Sequence, residues 1–212
     1  MPQLNLPYIL EMAIMAVVLL FSVIVHEVAH GYVALRNGDP TARMLGRITL
    51  NPIPHIDPVG TILLPAILLL SHAGILFGWA KPVPVNPRNF RNYRWGEITV
   101  SAAGPLSNLA LAVGFALLLR LGLMNLGFIK LAFFGVSINI FLALFNLIPI
   151  PPLDGSHIVA ILLPPNLLRL YNYLEPVGFI LILLLFYTGI LGALIMPLYR
   201  VILFLLLPGL LQ

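Results

Sequence analysis

Leu19 to Leu35 is an almost wholly apolar run, and inside it stands His26-Glu27-Val28-Ala29-His30. On a helix, residues four apart share a face, so His26 and His30 can offer their imidazoles to one metal ion. Glu27 stands beside them as a candidate general base. Ionisable groups are costly in hydrocarbon and persist there with a partner or a function. In a chain that is 60% hydrophobic and 8% charged, two histidines and a glutamate in one apolar segment need such a reason. The reading this supports is a zinc hydrolase whose site lies at membrane depth.

The composition places all 212 residues in one integral membrane domain, without a polar stretch able to form an appended soluble unit. Cysteine is absent, so a metal must be held by nitrogen and oxygen. The first 25 residues lack a basic leader and a small-residue cleavage site. Tyr8–Leu35 therefore reads as a retained transmembrane helix. The net charge of +4 is no nucleic-acid signal, because its carriers are concentrated between membrane segments: Arg36, Arg43, Arg47, Lys81, Arg88, Arg91 and Arg94. That block obeys the positive-inside rule and also suits anionic headgroups, so its loops are expected on the cytoplasmic side.

The expected fold is an all-α membrane protein: a multi-span helical bundle of about five or six membrane segments. Short strand-like or re-entrant elements are expected between the first and second core helices. The first helix ends at Asn37-Gly38-Asp39-Pro40. Arg47–Leu50 and Lys81–Val85 have strand character, the latter as an edge because of its prolines. Glu97–Arg120 and Phe128–Ile148 are further spans, and Leu167–Leu211 holds two more with a turn near Tyr187–Gly192 or Met196–Arg200. The catalytic core is expected over about 8–163, with accessory spans over 167–211.

Parity constrains Val59–Trp79. His26 lies about 13 Å from the Leu35 end of its helix. Ala102-Ala103-Gly104-Pro105 opens the second clear span, and Asp154 follows the third. All three share one membrane side only if Val59–Trp79 turns back without crossing. A re-entrant element is therefore expected, its backbone buried in protein or lining a polar cavity.

Two histidines leave a tetrahedral zinc one protein ligand short. The candidates are Glu11, Asp39, Asp57, Glu97, Asp154, Glu175, His55, His72 and His157. Asp154 stands out because Asn146-Leu147-Ile148-Pro149-Ile150-Pro151-Pro152-Leu153-Asp154-Gly155 sets a carboxylate on prolyl backbone that cannot stay helical. The competing reading makes Asp154 the N-cap of a short helix over Ser156–Leu163.

HEVAH in an apolar helix, followed by NPIPHIDPVG, SAAGPLSN and NLIPIPPLDG, resembles the site-2 protease family of intramembrane zinc metalloproteases. The resemblance covers about Phe21 to His157. It implies Zn2+ on His26, His30 and Asp154, with Glu27 as catalytic acid/base. It further implies a minimal form without a PDZ or CBS domain, acting on a single-span membrane protein from within the lipid bilayer. Localisation follows as a prokaryotic plasma membrane with the active site toward the cytoplasm.

Asn108, in the family's Gly-Pro-x-x-Asn element, offers an amide to a substrate carbonyl or oxyanion, or else an interhelical hydrogen bond. Asn146 admits the same two readings, the structural one ranking higher. His55 either meets the scissile carbonyl or the metal, or is solvated or paired with Asp57. His157 is a candidate partner of Asp154, and His72 ranks low. The strand-like pieces either extend an unwound substrate by strand addition or merely cover the site. Two rival functions are a catalytically inactive membrane scaffold, which would be expected to lack Glu27 or a ligand, and a divalent-cation transporter, which would need a polar path across the membrane.

Overall fold

The computed structural model describes residues 6–71, 78–122 and 126–208, and every regular element among them is helical. Helix α1 (Leu6–Asn37) stops where the sequence demands it. Gly38 takes φ +109°, Gly38 N–H bonds Leu35 O and Asp39 N–H bonds Ala34 O, the paired bonds of a Schellman terminus. A short α2 (Thr41–Met44) follows. A π-helical turn (Pro58–Leu63), with its first amides capped by the Asp57 carboxylate, runs into α3 (Leu64–Leu70).

Helix α4 (Tyr93–Arg120) starts where the Asn92 side chain accepts from Trp95 N–H at 3.0 Å. It packs along both α1 and α5 (Leu126–Asn146), and α6 (Asp154–Leu162) lies against it. Helix α7 (Pro165–Asn172) leads to α8 (Gly178–Tyr187) and α9 (Ile190–Leu206). The last two meet at 77° across Thr188-Gly189, where Gly189 has φ +75°. This break falls at the first of the two positions expected for the turn.

Three described helices are long and apolar enough to cross a bilayer: Leu10–Asn37, Tyr93–Arg120 and Phe128–Asn146. The bent α8–α9 pair makes a fourth if taken as one span, so the described residues reach three or four rather than five or six. The physical reason is length: α8 has 10 residues, about 15 Å against a hydrocarbon core of about 30 Å. Solvation is inverted relative to a water-soluble bundle. Val17 and Leu194 are 67% and 64% exposed, while Ser22, Asn108 and Asn139 are 0% exposed. Apolar outside and polar inside is the pattern of an integral membrane protein.

The segment between α2 and α4 turns back. Trp79 N–H bonds Gly60 O, and Thr61 Oγ1 bonds Trp79 O, so its two ends meet. Its described helical stretch, Pro58–Leu70, rises about 20 Å, too little to cross. Residues 72–77, His72 among them, lie outside the described residues. The expected strands do not form among the described residues. At Lys81–Val85 the reason is explicit: Pro82 and Pro84 have no N–H, and the Lys81 and Val83 N–H groups and the Lys81 and Pro82 carbonyls are committed elsewhere. Lys81 N–H bonds His55 O, the Lys81 and Pro82 carbonyls accept from Arg47 Nη2, and Val83 N–H bonds Glu27.

Candidate metal centre

His26 and His30 sit one turn apart on α1, 7% and 9% exposed, with ring centroids 4.7 Å apart. Each ring is fixed from its far nitrogen. His30 Nδ1 lies 2.7 Å from Val100 O, which can only accept, so that nitrogen carries a proton and in the neutral ring Nε2 is free to ligate. His26 Nδ1 meets Asn108 Oδ1 at 2.6 Å, with the same consequence.

Asp154 is the first residue of α6, and Leu153 before it makes no capping bond through its side chain. The N-cap position thus falls on Leu153, and the Asp154 carboxylate meets the two histidines, so the N-cap reading gives way. Oδ2 lies 3.2 Å from His26 Nε2 and 3.3 Å from His30 Nε2, and the two Nε2 atoms are 3.0 Å apart. Oδ2 is buried without a hydrogen-bond partner. With both imidazoles neutral, three lone-pair atoms face one another, which is repulsive unless a proton or a metal cation stands among them. Tetrahedral zinc with N and O bonds of about 2.0–2.1 Å separates its ligand atoms by about 3.3 Å. The donor set and the spacing both fit such an ion, and the three residues form the only such group among the described residues.

Gly104 makes room for this arrangement. A Cβ there would overlap the Nε2 atoms of both histidines. Gly155 plays the matching part on α6, where a Cβ would run into the Leu147 carbonyl. Glu27 Oε2 accepts from Val83 N–H at 2.7 Å, so the loop before α4 lies over the carboxylate beside the histidines.

Other sequence-derived candidates fall elsewhere. Asn108 is wholly buried, with its amide on Asn139 Oδ1 at 2.9 Å and on Ser22 O at 3.3 Å. Both amide protons are used, so the oxyanion reading yields to the interhelical one. Asn146 bonds back to Leu142 O within its own helix. His55 is neither solvated nor paired with Asp57: it is 0% exposed, with Nε2 2.9 Å from Thr49 O and Nδ1 unpartnered. It does not join the three-ligand group. His157 Nδ1 approaches Glu97 Oε2 at 3.9 Å rather than Asp154. Sequence reasoning passes over Asn139, although an amide amid the apolar residues of α5 is itself a signal of a buried polar contact.

The class defined by this fold and site is a membrane-embedded helical protein with a buried His-His-Asp centre beside a glutamate. Residues 121–185 match peptidase family M50. The chain is 44% identical over 186 residues to YwhC of Bacillus subtilis, covering 84% of this chain and 81% of that one. It is 32% identical over 178 residues to Rip2 of Mycolicibacterium smegmatis, covering 80% of this chain and 64% of that one. Both relatives carry zinc-metalloprotease names. No solved structure matches the chain. The chain belongs to peptidase family M50, the site-2 protease family.

Proposed function

We propose that this chain is a zinc-dependent intramembrane protease that cleaves single-span membrane proteins within or near their transmembrane segment. The convergence of His26 Nε2, His30 Nε2 and Asp154 Oδ2 at 3.0–3.3 Å, deep in a bundle with apolar exterior, carries this reading. Those three residues would hold the zinc, and family membership with zinc-metalloprotease relatives supports the choice of ion. Zinc there supplies Lewis acidity that polarises a peptide carbonyl and acidifies water. Glu27 takes the proton of the attacking water on its carboxylate and returns it to the leaving amine. Asn108 and Val100 O hold the two imidazoles, so the ligand atoms stay aimed while substrate comes and goes.

Lys81–Val85 is the segment we assign to meet an unwound substrate, since it already touches Glu27. The Lys81 and Val83 N–H groups and the Lys81 and Pro82 carbonyls are used internally, so backbone pairing with a substrate through these groups requires their bonds to be exchanged. The basic residues Arg36, Arg43, Arg88, Arg91 and Arg94 flank the α1–α4 connection, which supports a cytoplasmic side for this end of the bundle.

The test measures zinc content and cleavage of a transmembrane substrate in the same detergent-purified samples. Wild type should carry one zinc per chain, and Asp154→Ala and His26→Ala should lose zinc and cleavage together. Glu27→Gln should keep zinc and lose about 10²–10⁴-fold in turnover. A wild type that takes up no zinc after reconstitution would overturn the assignment, as would stoichiometric zinc in Asp154→Ala.

A further inference from the structure

We infer that Asn139 is a positioning residue for the metal centre: it fixes the orientation of the Asn108 amide and, through it, which nitrogen of His26 is free to ligate. This inference rests on the metal reading of His26 given above. Ser22 on α1, Asn108 on α4 and Asn139 on α5 form one chain of hydrogen bonds, and all three are 0% exposed.

The polarity of that chain follows from its ends. Asn139 has one terminal atom 2.8 Å from Gly135 O, a backbone carbonyl that can only accept. That atom is therefore Nδ2, and its other proton reaches Ser22 Oγ at 2.9 Å. Ser22 accepts there because its own hydroxyl proton goes to Val18 O at 2.8 Å. Oδ1 of Asn139 must then face Asn108, and at 2.9 Å it accepts from Asn108 Nδ2. The oxygen of Asn108 is left facing His26 Nδ1 at 2.6 Å, which requires the proton on Nδ1 and leaves Nε2 bare. Each link leaves one orientation for the next. The Gly135 carbonyl, in the middle of α5, thereby decides the tautomer of a ligand on α1.

Without Asn139, the Asn108 amide keeps only the longer 3.3 Å contact to Ser22 O. An amide rotated by half a turn would present NH2 to His26 and favour the tautomer with its proton on Nε2, which cannot ligate. At membrane depth no bulk water is present to take over the lost Asn108–Asn139 bond, so the Asn108 amide is left without its anchor to Gly135 O.

The variant is Asn139→Leu, of similar size and without hydrogen-bonding groups. Three quantities are read on purified protein: zinc affinity by chelator competition, the His26 tautomer by 15N NMR of zinc-free protein, and thermal midpoint. The expected result is about 10–100-fold weaker zinc binding and a His26 signal shifted from pure Nδ1–H toward a tautomer mixture. Asn108→Leu should do the same, and the double variant no more than either alone, because both act through one bond. Ser22→Ala, which leaves the Gly135 anchor, should change zinc affinity by less than about threefold. If Asn139→Leu does not yield folded protein, Asn139→Ser carries the test, its rotatable hydroxyl keeping a polar contact but losing the fixed polarity. A lowered thermal midpoint with unchanged tautomer and affinity would reduce Asn139 to a packing role and overturn the inference, and so would additive losses in the double variant. If wild type itself binds no zinc, the metal reading fails; an intact wild-type site with an indifferent Asn139 variant defeats this inference alone.

Discussion

Val83 N–H donates to Oε2 of Glu27 at 2.7 Å, joining residues 56 positions apart. The bond ties the proposed base to a loop that Arg47 and the His55 carbonyl hold from behind. A hydrogen bond to a charged carboxylate contributes about 1.5–3 kcal/mol and fixes which oxygen remains open. Val83→Pro removes that donor and exchanges the buried valine side chain, which packs beside Gly31, for a pyrrolidine ring. Val83 already precedes a proline, which confines it to the extended region that proline itself prefers. The expected outcome is a turnover lower by about tenfold, with zinc content unchanged. Steady-state cleavage beside metal analysis checks it; wild-type turnover would show that the bond does not serve the reaction.

Gly104 is the place where α4 touches both histidines. Gly104→Ala adds a methyl that overlaps two ligand nitrogens whose rings are locked from the other side. Helix propensity alone would favour alanine by about 1 kcal/mol, so a loss must come from the site. Zinc stoichiometry and cleavage should both collapse while helicity by circular dichroism stays. Gly114→Ala on the same helix points into open space and should leave both intact. Equal behaviour of the two variants would mean that the site tolerates the methyl.

His26, Glu27 and His30 are legible in the sequence because an i, i+4 pair needs only a helix, and local composition decides that. Asp154 is less so: its prolyl setting shows non-helical backbone but not which way the carboxylate points, a question settled by how α6 meets α4. Asn108 reads two ways for the same reason, since its partners are 86, 82 and 31 residues distant. The strand character of Lys81–Val85 misleads because β-branched residues and prolines describe an extended chain, whereas a strand also needs a partner with free groups. Here those groups go to a glutamate, an arginine and a loop carbonyl.

Asp39 gives the fold a predictable acid limb. It lies just beyond α1, wholly buried, and accepts from Asn86 N–H, Thr41 N–H, the Thr41 hydroxyl and Asn89 Nδ2. Burial alone would raise its pKa, but these donors outweigh it and hold the carboxyl below its ordinary value. A carboxyl depressed in the folded state stabilises that state fully above its unfolded pKa of about 3.9. The contribution is then lost as pH falls through the lower, folded value. Asp39→Asn removes this dependence, along with acceptors for the α1–α2 and Asn86–Asn89 loops. The thermal midpoint of wild type in detergent should exceed that of the variant at pH 6–7, and the gap should narrow below about pH 4. A gap that stays constant to pH 3 would mean that the four donors hold Asp39 by shape rather than by its charge.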